Sequence, residues 1–63
     1  MVADVPVEYI VIMLDLTDTE TYEYFTDKRK ALKYAREYRY AYKSIAVKEV
    51  DYINNEEEII WED

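Results

Sequence analysis

The chain has 63 residues and a net charge of −7, from 15 Asp and Glu against 8 Lys and Arg. It is 51% apolar and 16% aromatic, chiefly Tyr, which is too apolar for a disordered acidic tail and sufficient for one small domain. Cysteine, histidine and glycine are absent, which excludes disulfides, thiolate zinc sites, imidazole acid–base chemistry and Gly-rich phosphate loops.

Met1-Val2-Ala3-Asp4 has neither the basic nor the apolar region of a signal peptide, and no apolar run reaches the roughly 18 residues of a membrane span. Val7 to Leu16 is β-branched and apolar and reads as a strand. Ile10, Ile12, Leu14 and Leu16 fall on one side of it; Tyr9, Val11, Met13 and Asp15 fall on the other. A strand apolar on both sides belongs inside a sheet, with something over its second face. Thr17-Asp18-Thr19-Glu20 reads as a turn and Thr21 to Phe25 as a second strand. Pairing Leu16 with Thr21 sets Ile12 opposite Phe25, Met13 opposite Tyr24 and Asp15 opposite Tyr22.

Thr26 or Asp27 can cap a helix from about Asp27 to about Tyr42, which contains neither Pro nor Gly. Ala31, Ala35, Tyr38 and Tyr42 recur at helical spacing with Leu32 and Tyr34 beside them, giving a stripe to lay on the sheet. Ser44 to Ile53 reads as a third strand. Its alternation slips between Val47 and Val50, which a β-bulge near Lys48-Glu49 would explain. Ile53-Asn54-Asn55-Glu56 fits a two-residue type I′ turn, and Glu57 to Glu62 reads as the fourth strand. The sequence leaves open which face Trp61 takes.

The expected fold is α+β: one ββαββ domain over 1–63, an antiparallel four-stranded sheet in the order 2-1-3-4, with one helix on one face. The helix crosses β-strand one to join strands two and three. Ile10, Ile12, Leu14, Phe25, Leu32, Ala35 and Tyr38 form the expected core.

Charge is segregated along the chain. Residues 1–27 carry −7, residues 28–43 carry +6 and residues 44–63 carry −6. The bases Arg29, Lys33, Arg36 and Lys43, with Lys30 beside them, lie away from the apolar stripe. They read as a solvated face or, with Tyr40 among them, as a nucleic-acid contact. The net charge opposes the second use, since it repels a polyanion at long range. The acids gather at two poles. Asp15, Asp18 and Glu20 lie at the first hairpin, where Glu62 and Asp63 should also end; Asp51, Glu56, Glu57 and Glu58 lie at the second. They suit edge protection and solubility, or a set of carboxylates standing in for phosphates. Asp15-x-x-Asp18-x-Glu20 has neither the spacing nor the Gly of an EF-hand. No metal, cofactor or catalytic set is expected. The sheet face away from the helix, expected to hold Tyr9, Val11, Met13, Tyr22 and Tyr24, is a candidate contact patch.

In bulk properties the whole chain resembles small phage-encoded inhibitors, including anti-CRISPR proteins and other DNA mimics. The shared traits are small size, strong acidity, no Cys or His, and Tyr beside Asp and Glu. The resemblance implies acidic side chains seated on the DNA-binding surface of a nuclease or polymerase, in the cytoplasm of a bacterial host. The basic helix departs from the pattern and leaves only hairpins and sheet edges to do the mimicry. The expected function is that of a protein-binding inhibitor, not an enzyme. Its partner would be a nucleic-acid-binding protein with a basic surface, reached through Asp15, Asp18, Glu20, Tyr22, Tyr24, Tyr9, Met13, Asp51, Glu56, Glu57 and Glu58. A homodimer through the Tyr-rich sheet face is the alternative, and direct nucleic-acid binding by the helix ranks below both.

Overall fold

A computed structural model describes residues 6–63. Met1-Val2-Ala3-Asp4, on which the expectation about a signal peptide rested, lies outside the described residues. The elements are β1 (Val7–Leu14), β2 (Glu20–Phe25), α1 (Lys28–Tyr38), β3 (Ser44–Asp51) and β4 (Glu56–Glu62). They build the expected antiparallel sheet in the order β2-β1-β3-β4, with α1 crossing β1 between β2 and β3. The fold is ββαββ, of the α+β class. Pro6 precedes β1, and its carbonyl accepts from Tyr52 N at 2.8 Å.

The first hairpin departs from the expected register. Tyr9 pairs with Phe25, Ile10 with Tyr24, Ile12 with Tyr22 and Met13 with Thr21. This pairing lies an odd number of residues from the Leu16–Thr21 alignment, and an odd slip turns every side chain to the opposite face. The cause is the loop. Asp15 Oδ1 accepts from Thr17 N at 2.8 Å, Thr19 N at 3.0 Å and Thr17 Oγ1 at 2.6 Å. Asp18 N donates to Asp15 O, and Asp18 has φ 65°, so a turn is closed by one left-handed residue. The β-structure ends at Leu14 and leaves Leu16 at the tip, 83% exposed.

The core is therefore built from the other side of β1. Val11, Met13, Ala31, Ala35, Ile45 and Val47 are buried together, with Tyr9, Phe25, Leu32, Tyr34, Tyr42, Ile60 and Trp61 packed around them. Of the expected core, Ala35 is buried, and Phe25 and Leu32 pack against it. Ile10, Ile12 and Leu14 are half-buried on the opposite face, and Tyr38 is 43% exposed. Two alanines at the contact let α1 lie close to the sheet. Phe25, Tyr34 and Tyr38 pack in tilted pairs along its β2 side, with ring centroids 5.4 Å and 4.5 Å apart.

Asp27 is the N-cap of α1, accepting from Arg29 N at 2.8 Å and Lys30 N at 3.4 Å. The helix stops short of Tyr42. A 3₁₀ turn over Arg39–Ala41 tightens its end, and Tyr42 is already extended. Lys43 N donates to Leu14 O at 2.7 Å, which ties the exit of the helix to the end of β1.

Two further expectations change. The second hairpin is not a two-residue type I′ turn, which needs positive φ at both central residues. Its loop is Tyr52–Asn55, and Asn55 alone there is left-handed, with φ 56°. Asp51 organises it, accepting from Ile53 N at 2.9 Å, Asn54 N at 3.1 Å and Asn54 Nδ2 at 2.9 Å. The β-bulge lies in β4, not in β3. Trp61 opposes Val47 and Ile59 opposes Lys48, so Ile60 is the inserted residue, while β3 pairs with β1 without a break. The insertion lets Ile60 and Trp61 both reach the core, which settles the face of Trp61. The slip in β3 is Val50 serving the face away from the helix, opposite Glu8.

Ile45→Ala should cost about 2–5 kcal/mol, since it empties a fully buried site in a small core. Met13→Lys, which places a charge there, should abolish cooperative unfolding. Ile12→Lys, on the face away from the helix, should retain it. Urea denaturation followed by circular dichroism checks all three. Loss of folding in Ile12→Lys with retention in Met13→Lys would reverse the face assignment.

Candidate functional site

The sheet face away from α1, the open face, is the one large surface that no other element of the described chain covers. Register places Ile10, Ile12 and Leu14 of β1 beside Tyr24, Tyr22 and Glu20 of β2, with Ala46, Lys48 and Val50 of β3 on the other side. Ile59, Glu57 and Glu62 of β4 complete it. Tyr22, Tyr24 and Ile59 are about half exposed, and the β1 aliphatics lie half-buried between them. The centre is thus mainly apolar and aromatic, with Lys48 across from Ile10, and carboxylates stand at its ends.

At one end Tyr52 donates to Glu8 Oε1 at 2.5 Å, and Lys48 Nζ meets Glu57 Oε1 at 3.0 Å. At the other, Tyr22 donates to Glu20. There a shallow cavity of about 120 Å³ opens over Ile12, Leu14 and Ala46, with Glu20, Glu62 and Asp63 around it. Hydrogen bonding to the acidic partner holds the Tyr22 and Tyr52 hydroxyls above their ordinary pKa, so both stay neutral donors well into alkaline solution.

The residues singled out from sequence divide. Glu20, Tyr22, Tyr24 and Glu57 lie on the open face. Met13 does not: it is 2% exposed under the helix. Tyr9 is half-buried on the helix side, where burial and the neighbouring Glu49 carboxylate raise its pKa. Both were expected on the contact patch and fall on the core side because of the odd register slip. Val11 of the expected patch is likewise core. Asp15 and Asp51 are occupied inside their own loops, and Asp18 pairs with Lys43 at 2.6 Å. Glu56 and Glu58 face the helix side, opposite Asp51 and Glu49. Among the described residues no three acidic side chains are grouped to hold a metal ion. Sequence reasoning missed Ile10, Ile12, Ile59, Glu8 and Glu62 as face residues. The paired β-branched residues Ile45 and Val47 were the available signal, since they mark the core side of β3.

Comparison of the chain with protein-family models, with curated proteins and with solved structures found no match. No helix among the described residues is long and apolar enough to cross a membrane.

Asp15 is held below its ordinary pKa by the Thr17 hydroxyl and by the Thr19 and Thr17 amides; Asp51 is held low by the Asn54 side chain and by the Asn54 and Ile53 amides. A carboxylate whose pKa is depressed by folding stabilises above its unfolded value, about 3.9, and that contribution is lost as pH falls through the folded value. Thermal stability should therefore drop below about pH 4. Asp15→Ala and Asp51→Ala should be less stable at neutral pH and show a flatter acid limb. Parallel acid limbs in wild type and both variants would assign the acid sensitivity elsewhere.

Proposed function

We propose that this protein is a binding inhibitor whose open sheet face seats on the basic, nucleic-acid-holding surface of a partner protein. The observation that carries the reading is the layout of that face: Ile10, Ile12, Leu14, Tyr22 and Tyr24 at the centre, acids at both ends. A desolvated aromatic and aliphatic centre supplies affinity, and a charged rim supplies encounter rate and partner choice. The cations that bind phosphates on the partner are complementary to Glu8, Glu20 and Glu62, and they would compete with Lys48 for Glu57. The bulk resemblance to phage-encoded DNA mimics points the same way. A face-to-face homodimer through this surface is disfavoured, because it would set two acidic rims against each other.

The test is affinity capture from a bacterial lysate, with elution by duplex DNA. Wild type should retain a protein that DNA displaces. Ile12→Lys should weaken capture by about tenfold or more, because it charges the centre. Glu57→Lys with Glu62→Lys should slow association and reduce its salt dependence. Single exposed rim pairs should each contribute under about 1 kcal/mol. A captured protein that DNA does not displace, or that Ile12→Lys holds as tightly, overturns the reading.

A further inference from the structure

The two layers of the molecule carry opposite charge on their outer sides. Arg29, Lys33 and Arg36 project from α1 away from the sheet, with Lys30 beside them, and all are exposed. Among the described residues the two ion pairs are Lys43–Asp18 and Lys48–Glu57, so none of these four cations has a carboxylate partner there. Their placement is also unfavourable within the helix. Lys28, Arg29 and Lys30 occupy its first turn, which holds no acid, at the end where the helix dipole disfavours cations. Asp27, the N-cap, is the one carboxylate at that end. On the opposite side of the molecule lies a face with an apolar and tyrosine-lined centre and acids at its ends.

We infer that the open face also accepts the basic side of α1 from a second copy, so that copies associate head to tail. The inference shares with the proposed function only the assignment of the open face as a contact surface. Arg29 to Arg36 spans about 10 Å along the helix axis, and the open face runs about 20 Å from Glu8 to Leu14, so the flexible arms can reach both ends from a central seat. The aliphatic stems of Arg and Lys cover Ile10, Ile12 and Leu14 while their heads turn to the rim. A guanidinium can lie on the ring of Tyr22 or Tyr24. The surfaces are different patches of one molecule, so the interface is heterologous and does not close at a dimer. Each added copy brings seven more negative charges, which keeps the assemblies short. A basic partner competes for the same face, so self-association and partner binding exclude each other.

Sedimentation velocity on the isolated protein tests this without any partner. With rising concentration, wild type should pass the mass of a dimer. A helix-reversed variant, Arg29→Glu, Lys33→Glu and Arg36→Glu together, should sediment as a monomer. A face-reversed variant, Glu57→Lys with Glu62→Lys, should do so too. Mixed in equal amounts, the two should associate again, because the basic helix of one fits the acidic-rimmed face of the other. If the helix-reversed chain fails to fold, the same three positions as Gln remove the charge at similar helix propensity and carry the same expectation. A wild type that stays monomeric into the millimolar range, or that halts at a dimer, overturns the inference. So does a mixture that stays monomeric. Each of these results leaves the capture experiment to decide the proposed function separately.

Discussion

Asp15 sets the register of the first hairpin, and the register decides what this protein is inside and out. Its carboxylate gathers the amides of Thr17 and Thr19 and ends the ladder at Leu14. From there the pairing of β1 with β2 is fixed, and with it the parity of every side chain on both strands. β1 is apolar on both sides, so burial alone discriminates weakly between the two parities. A loop of different length would bury Ile10, Ile12 and Leu14 under the helix and present Val11 and Met13 to water. A few hydrogen bonds in an exposed turn thus select between two hydrophobic faces of similar quality.

This is also why the sequence was legible in one respect and misleading in another. Element order, sheet order and the capping Asp27 follow from local chemistry: β-branched runs, a long Gly-free helical segment and a short acceptor before it. Face assignment depends on the count of residues in a turn, and here no glycine marks the left-handed position. Asp18 and Asn55 take positive φ instead, as short polar side chains can. The bulge at Ile60 was illegible for a related reason. Ile59, Ile60 and Trp61 are all apolar, and the pattern alone does not say which of them is inserted. The candidate site inherits the same division. Tyr22 and Tyr24 fall on the open face as expected, and Glu20, expected in the turn, begins β2 beside them. Tyr9 and Met13 were misplaced because β1 was turned over.

Several arrangements in the chain are locally unfavourable. Three cations crowd the N-terminus of α1, and Glu49 and Asp51 lie directly across from Glu58 and Glu56 in β3 and β4. The core that must absorb these penalties is small, with Val11, Ile45 and Val47 its largest fully buried side chains. Folding alone would favour the opposite distribution, acids at the start of the helix and bases opposite the glutamates. Sequences that break local rules in this way do so where another requirement dominates. The common feature of the departures is that they separate charge by element, leaving a basic helix against an acidic sheet. Association, as proposed for the open face and for α1, is a requirement that such a separation would serve.

How the two parts of the open face divide that work follows from their exposure. The carboxylates are at the margins, where water and salt screen them, and an exposed pair there is worth little once formed. Their reach before contact is longer, so in the proposed binding they would act on encounter and on the rejection of acidic partners. Ile10, Ile12 and Leu14 are already half withdrawn from water between the tyrosines, so their remaining area is lost only to a surface that fits closely. Tyr22 and Tyr24 bridge the two regimes, with rings over the apolar centre and, at Tyr22, a hydroxyl fixed to Glu20. That bond keeps the hydroxyl satisfied at the edge of the apolar centre. In the proposed binding, affinity is therefore concentrated at the centre, and selection of what approaches it is set by the rim.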